Sequence, residues 1–447
     1  LIFMNDLFEK ASIPKAYFHL AFPVVLGMVA SMIYNLADTF FVAQTGNADL
    51  VAGIALGSPL FSFMLAVGDI FGLGGSAVIS RVLGRHDYHQ SARISSFCFY
   101  IAIALSLVLT ALLLLFEQPI LGLLGATAAT RPYIADFYRI LVLGSTFIVV
   151  SLVPGNIIRT EGLAQLSMIA TISGTVLTII LDPLFLFGFH WGAAGVAFAN
   201  VLGYAVNTSL LVLFMRRTKT LSLAPKLAHI SRPTFKAVVA VGIPASLTNL
   251  TQSFGMMILN SYLAAYGAQA VAAMGIVQKV YMVVMMVMVG FAFGAQPLVG
   301  YTYGAKNWQR LRATLRFDLK VEGGYATICA IILMIFAPQL IKLFMNQPAI
   351  VTMGTHMLRA MLITTPLVGF ILVFTTVFQS VGAGLSALAM ALSRQAILLG
   401  IAIVILAQFF GLTGIIWAQA VADVLTCLLG WLLYRHTFKD IQVPSSN

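Results

Sequence analysis

Charge is scarce in this sequence. Only 9% of its 447 residues are Asp, Glu, Lys or Arg, against 60% that are hydrophobic, and soluble domains do not show that ratio. Acid is scarcest, with 14 Asp and Glu against 25 Lys and Arg. Cysteine is equally sparse: Cys98, Cys329 and Cys427 lie far apart in or beside apolar stretches without metal-ligand spacing. That excludes a disulfide framework and a cysteine-based zinc site, and leaves three small buried hydrophobes. No nucleotide-binding glycine loop precedes a Lys-Ser or Lys-Thr pair. The glycine-rich "GLGGSAVISRVLG" falls inside an apolar span, where small residues allow helices to pack closely. ATP is therefore not the expected energy source, no cofactor is implied, and no catalytic constellation suggests an enzyme. "HDYH", residues 86–89, has too few partners for a metal site and reads as a solvated loop.

What is present is long hydrophobic runs. Mean hydropathy is +0.98, and stretches of the ~20 residues needed to cross a ~30 Å hydrocarbon layer recur along the chain. Twelve are expected, at residues 17–43, 51–80, 92–116, 133–155, 164–187, 192–216, 237–265, 271–299, 318–341, 354–380, 386–409 and 413–434. The alternating ten-residue segments of a membrane β-barrel are missing, so backbone groups must be satisfied within helices. The formal charge of +11 raises the question of a nucleic-acid partner, but the placement of the basic residues answers it. If the N-terminus is cytoplasmic, 20 of the 25 Lys and Arg fall on the inner side and only Arg131, Arg139, Lys342 and Arg359 on the outer. The positive-inside rule then predicts a multi-pass protein of the cytoplasmic (inner) membrane, both termini inside, with no nucleic-acid partner. The first span is too long for a cleavable leader, so no signal peptide is expected.

An internal repeat divides the chain. "FPVVLGMVASMIYNLADTFFVAQTG", from Phe22, aligns with "IPASLTNLTQSFGMMILNSYLAAYG", from Ile243, with Pro23 on Pro244 and Gly46 on Gly267. Gly84 meets Gly304, Gly162 meets Gly382 and Gly195 meets Gly414, the register drifting only from 221 to 219 residues. Six spans before the join and six after it make the repeat parallel, an arrangement that builds transporters with a central cleft between two lobes. The expected division is an N-terminal lobe at 1–216, a basic cytoplasmic linker at 217–236 and a C-terminal lobe at 237–447.

Chemistry is sought where the halves differ. Asp38 aligns with Leu259, and Asp182, in "TIILDPLFLF", aligns with Ile401. An ionisable group inside a span costs at least ~2.5 kcal/mol and is a functional candidate by default. Both aspartates lie five residues before the outer ends of spans 1 and 5, a depth of ~7.5 Å, and Asn35, Thr178 and Asn200 lie just below, at ~12 to 14 Å. If spans 1, 5 and 6 pack together, this is an oxygen-rich cluster. Burial favours the neutral form of a carboxylate, so the cluster could exchange a proton. Its oxygens equally make a hard-cation cage, a candidate Na⁺ site at Asp38, Asp182, Thr178 and Asn200. The bland alternative is a pair of satisfied structural aspartates. Pro183 lacks an N–H and leaves carbonyls free beside Asp182, while Pro23 should kink span 1 near its inner end; both are hinge candidates or tolerated packing kinks.

The ordered set "NLADTFFV", "GLGGSAVISRVLG", "NIIRTEG", "LDPLFLFGFHWGAAGVA" and "GAQPLVGYTYGAKN" resembles the multidrug and toxic compound extrusion (MATE) transporters, in particular the DinF-like and MepA-like bacterial branch. The resemblance covers essentially the whole chain. It implies an all-α membrane protein of twelve helices in two six-helix lobes, acting as a cation-coupled antiporter that exports amphiphilic, often cationic drugs under H⁺ or Na⁺ entry. Asp38 and Asp182 match the branch's two N-lobe acids, and Pro23 its span 1 proline. There is a departure: Thr178 stands where the branch typically has Asn, and Asn200 where it typically has Thr. The amide and hydroxyl are exchanged, and ion choice is left open. The related branch with C-lobe acids is not matched, since span 7 offers only Gln252 and Asn260.

Gln252, Asn260, Lys279, Tyr281 and Met285 are the substrate-cleft candidates. Lys279 is ~12 Å inside its span, too deep to snorkel easily, and can pair with an anionic group or simply bond backbone carbonyls. The methionines of "YMVVMMVMVGF" suit a promiscuous pocket, although most such residues belong to a core or a lipid face. Asp69, toward the inner half of span 2, reads best as a partner for an inner-side Arg or a backbone group. The expected partners are a small amphiphile and membrane lipid, with the protein a monomer. Two rival functions remain: a flippase or dedicated exporter for a lipid-linked or biosynthetic metabolite, and a non-transporting receptor or scaffold.

Overall fold

A computed structural model describes residues 1–439; the last eight residues of the expected C-terminal lobe lie outside the described residues. Twelve helical spans follow one another: α1 (Ile13–Ala43), α2 (Ala48–Gly84), α3 (Tyr88–Leu115), α4 (Arg131–Leu143 with Ser145–Glu161), α5 (Ala164–Gly188), α6 (Gly192–Arg217), α7 (Arg232–Ala264), α8 (Ala268–Gly304), α9 (Trp308–Ile335 with Ala337–Phe344), α10 (Pro348–Ile363 with Thr365–Val381), α11 (Gly384–Phe410) and α12 (Leu412–Thr437). Eight are long and apolar enough to cross a membrane as they stand, and α4, α9 and α10 do so as bent pairs. The remaining one, α7, is 33 residues long, but the polar stretch "TNLTQS" at 248–253 dilutes its hydropathy. The α9 helix starts ten residues before the expected span. Arg310, Arg312 and Arg316 depress hydropathy there, yet Asn307 caps the helix by accepting from Arg310 N at 3.1 Å, which fixes an earlier start.

The repeat is visible in the backbone. Gly46 and Gly267 both have positive φ (67° and 103°), as do Gly162 and Gly382 (83° and 80°). These conformations are accessible to glycine at little cost. His86 and Lys306, 220 residues apart, share φ values of 59° and 55°, and each precedes a capping residue, Asp87 or Asn307. The bend of α4 at Gly144 is 49° and that of α10 at Thr364 is 47°, again 220 residues apart. The twelve helices thus form two parallel six-helix lobes.

One apolar core, containing Val42, Met64, Leu141 and Val196, is drawn from α1 to α6. Another, containing Leu259, Val277, Met357 and Ile403, is drawn from α7 to α12. A third joins the two, packing Leu20, Val78 and Val82 against Val238, Leu298 and Tyr301. All of these joining residues lie toward the end of the bundle that carries residues 1 and 439, here called the basic end. Glycines let the halves touch there. A Cβ on Gly290 of α8 would lie 2.7 Å from Val25 Cα of α1, Gly294 faces Ala21, Gly74 of α2 faces Val238 and Gly242 of α7, and Gly84 faces Tyr301.

Toward the far end the same faces separate. Leu36 is eleven residues beyond Val25, and Lys279 eleven before Gly290; eleven residues return a helix to within ~20° of the same face. Leu36 is 46% exposed, and Lys279 and Val283 are exposed as well. On α7, Asn249, Ser253 and Asn260 continue the face of Gly242, the first two exposed. The faces that seal the basic end therefore line a central cleft at the other.

Candidate ion-coupling site and cleft

The α1, α5 and α6 helices pack as the depth argument requires, α1 on α5 and α5 on α6. The α5–α6 crossing is close because Gly174 and Gly203 face one another. Asp38 lies about 140° around α1 from the cleft-facing Val25 and so points into the first six helices. There its carboxyl comes within hydrogen-bonding reach of Asp182 on α5. Asp182 is 1% exposed. Among the described residues, Asp38 Oδ1 and both oxygens of Asp182 have no hydrogen-bond donor. Two carboxyls that meet with no donor, one buried and one half-buried, need a shared proton or a cation between them, because paired negative charge out of water is costly.

The surrounding groups are fixed by the backbone. Thr178, one turn before Asp182, donates its hydroxyl to Gly174 O at 2.9 Å and lies 3.4 Å from Ala199 O, leaving its oxygen lone pairs available. The Asn200 amide donates to Val196 O at 3.2 Å, and its Oδ1 accepts from the Tyr34 hydroxyl. Tyr34 is the site residue that sequence reasoning missed. It stands one turn before Asp38, on the same face of α1, and bridges α1 to α6. Both carboxyls bear on it electrostatically, and the i, i+4 spacing was its signal. Asn35 is not brought into the cluster: it is exposed and donates to Ser31 O at 3.1 Å.

Pro183 ends the regular part of α5 and is followed by a wide π turn, Leu184–Gly188, at the level of Asp182. Pro23 is buried within the unbroken helix Ile13–Ala43, between the two α1 residues that meet the α8 glycines. The cluster offers unpartnered carboxylate oxygens, a hydroxyl and an amide, a donor set suited to a proton or a small hard cation.

Of the cleft candidates, Lys279 is exposed on the cleft-facing stripe of α8, Gln252 is exposed on the flank of α7, and Asn260 is half-buried on the face continuing from Gly242. Lys279 forms no hydrogen bond or ion pair among the described residues. Tyr281 and Met285 are placed elsewhere. Both point away from the cleft into the core of the second six helices, where Tyr281 lies beside the buried ion pair of Arg394 and Asp423 (2.9 Å). Nine and five residues from Gly290 turn them to roughly 180° and 140° from its face of α8. Asp69 is buried, faces Arg159 and accepts from Asn249 of α7 at 3.4 Å, so an arginine does bear on it, together with a bond across the floor of the cleft.

The sequence pattern of the MatE family matches residues 23–184 and, a second time, residues 244–406. Multidrug export protein MepA of Staphylococcus aureus (strain N315) is 30% identical over 434 residues, covering 97% of this chain and 96% of that protein. Its counterpart in Staphylococcus haemolyticus is 29% identical over 427 residues, covering 95% and 94%. Among solved structures, the outward-facing conformation of a multidrug resistance MATE family transporter of the MOP superfamily superposes with a TM-score of 0.92 at 25% identity, covering 99% of both chains.

Proposed function

Because the chain belongs to the MatE family, whose members are transporters rather than enzymes, we propose that this multidrug efflux transporter works as an antiporter, coupled to H⁺ or Na⁺ at Asp38 and Asp182. One observation carries the reading: two unpartnered carboxyls meet between α1 and α5, at positions that align with the apolar Leu259 and Ile401 in the other half of the repeat. The ion enters from the far end, where the cleft is open. Its charge is taken up between Asp38 and Asp182, with Thr178, Asn200 and Tyr34 as oxygen neighbours. Binding reorients α1, and the same helix carries the wall of the cleft at Leu36. Ion occupancy thereby lowers the affinity of the cleft for its cargo, which leaves. The halves, residues 1–216 and 237–447 joined by the linker 217–236, then rock to open the basic end, which faces the cytoplasm, and the ion is released. The ion must bind the two states with different affinity, or it moves nothing.

The cleft walls suit an amphiphile. Leu36 and Val283 are exposed apolar groups on the cleft-facing stripes of α1 and α8, and Asn249, Gln252 and Lys279 supply scattered polar contacts. Lys279 also lends support to a second reading, a flippase for an anionic lipid-linked metabolite, and competition between a cationic dye and such a lipid separates the two.

Flux in proteoliposomes, under a pH gradient alone and a Na⁺ gradient alone, identifies the ion. Asp38→Asn and Asp182→Asn should each abolish gradient-driven dye efflux while leaving expression intact. Wild-type rates in either variant would sink the mechanism.

A further inference from the structure

We propose that Asp318 and Glu322 of α9 form a second proton-binding site, a latch that seals the basic end of the seam when both carry protons. The two residues belong to the buried stripe of α9, which runs Leu311, Leu315, Asp318, Glu322, Ala326 and Ala330. Spacing of i, i+4 sets their carboxyls side by side. Both side chains are fully buried, at 0% exposure.

The surroundings are apolar and come from both halves. The Tyr17 hydroxyl of α1 donates to Asp318 Oδ1 at 2.7 Å, and its ring packs against Phe291 of α8 and Phe317 of α9. On the α10 side, Gly369 closes on the backbone of Glu322 and Phe370 on Gly323. Asp318 Oδ2 and both oxygens of Glu322 accept no well-formed hydrogen bond among the described residues, the Ala292 N–H of α8 being the one backbone donor that bears on Glu322. No lysine or arginine pairs with either acid there. The titratable groups that bear on the pair are Tyr17 from α1 and Tyr325 from α9, with Cys329 one turn further along against Tyr325; the residues of α8 and α10 that close on it are apolar or glycine. The pair and the Tyr17 hydroxyl, which is already donating to Asp318, fall short of the roughly six to eight oxygens a hard cation takes, whereas two adjacent carboxyls without a counter-charge are held most cheaply as neutral acids.

The pair is distinct from Asp38 and Asp182. Tyr17 and Asp38 share α1 but are 21 residues, or ~30 Å, apart along it, with Pro23 between them. The proton path is short: when the basic end opens, Asp318 and Glu322 meet water on that side and each gives up H⁺ to it; closing the seam takes the same protons back. The closed state therefore binds more protons than the open one, so low pH on that side favours closure and high pH favours opening. This rests on the proposed cycle only in requiring that the seam opens.

Spin labels on His89→Cys and Gln309→Cys, exposed residues flanking the seam on opposite halves, read its opening. The protein carries Asp38→Asn and Asp182→Asn, so the first site is silent. We expect the label separation to lengthen as pH rises, and Asp318→Asn with Glu322→Gln to hold it short at every pH, since the neutral isosteres mimic the protonated pair. Tyr17→Phe, which buries no new charge and keeps the ring, should move the midpoint of opening to lower pH. A pH response that survives Asp318→Asn with Glu322→Gln, or that vanishes with Asp38→Asn and Asp182→Asn alone, overturns the latch and leaves the first site standing. Should the double neutral variant not be recovered folded, an unchanged midpoint in Tyr17→Phe overturns it as well. Failure of the first site shows instead as undiminished gradient-driven flux in Asp182→Asn.

Discussion

At the scale of single residues, the contrast between the two acid pairs shows what patterning can and cannot reveal. Asp38 and Asp182 stand alone in apolar runs, so each is conspicuous, and equal depth suggested that they meet; the contact itself required α1 to pack on α5. Asp318 and Glu322 escaped notice because they follow Arg310, Arg312 and Arg316 and precede or flank Lys320. A mixed-charge stretch at a span boundary reads as a solvated interface, and only the helix phase reveals that Arg312, Arg316 and Lys320 point out while the acids point in. Tyr34 was hidden by its neighbours' stronger signals. Removing its hydroxyl deletes one hydrogen bond to Asn200, worth ~1 kcal/mol. Tyr34→Phe should therefore weaken the apparent affinity for the coupling ion by roughly fivefold in concentration-dependent flux, and an unchanged half-saturation would show that the bridge to α6 is not part of the ion site. Lys279 tests the cleft. Lys279→Gln removes its unpaired charge, so export of cationic dyes should rise relative to that of carboxylate-bearing dyes in paired uptake assays; equal effects on both would remove Lys279 from the substrate path.

At the scale of helices, hydropathy located every span but not its shape. The bends at Gly144 and Thr364, and the break of α9 at Phe336, leave no composition signal, because a bent apolar helix is as apolar as a straight one. The same is true of the early start of α9, set by one capping asparagine. The seam glycines were legible only as small residues; which helix each admits depends on the fold. Gly290 is the clearest case. Its missing Cβ would lie 2.7 Å from Val25 Cα and 2.8 Å from Val25 Cγ2, and backbone cannot move aside as a flexible side chain can. Overpacking of this kind costs ~1 to 3 kcal/mol. Because the cost falls on the closed seam alone, Gly290→Ala should shift the population toward an open basic end, read as a longer separation between labels on His89→Cys and Gln309→Cys at constant pH. An unchanged separation would mean that α1 and α8 slide past each other without loss.

At the scale of the whole molecule, the closed end is held by more than the helix crossings. The segment before α1 lies across both halves: Tyr301 donates to Glu9 at 2.7 Å, Arg310 donates to Phe8 O at 2.6 Å, Glu9 also reaches His86 at 3.1 Å, and Leu7 closes on Gly162. The basic linker is stapled to the first half. Glu161 accepts from the backbone of Lys219 and Thr220, and Ser95 and Ser96 of α3 donate to Ser222 O at 2.9 and 2.8 Å. Any rocking motion must therefore keep residues 219–222 with the first half and break the contacts of 17–25 and 70–84 with the second. That separation can be forbidden chemically. An ideal Cβ on Gly300 of α8 would lie 2.7 Å from Ser80 Cβ of α2, so a small shift gives the Cβ spacing of ~3.8 Å that a disulfide requires. In Ser80→Cys with Gly300→Cys, oxidation should lock the basic end shut and stop dye efflux from proteoliposomes, and reductant should restore it. Reduced protein that transports while oxidised protein does not would tie transport to the seam. Oxidised, fully cross-linked protein that exports at the reduced rate would mean that cargo crosses without the two halves parting, and rigid-body rocking would have to be abandoned.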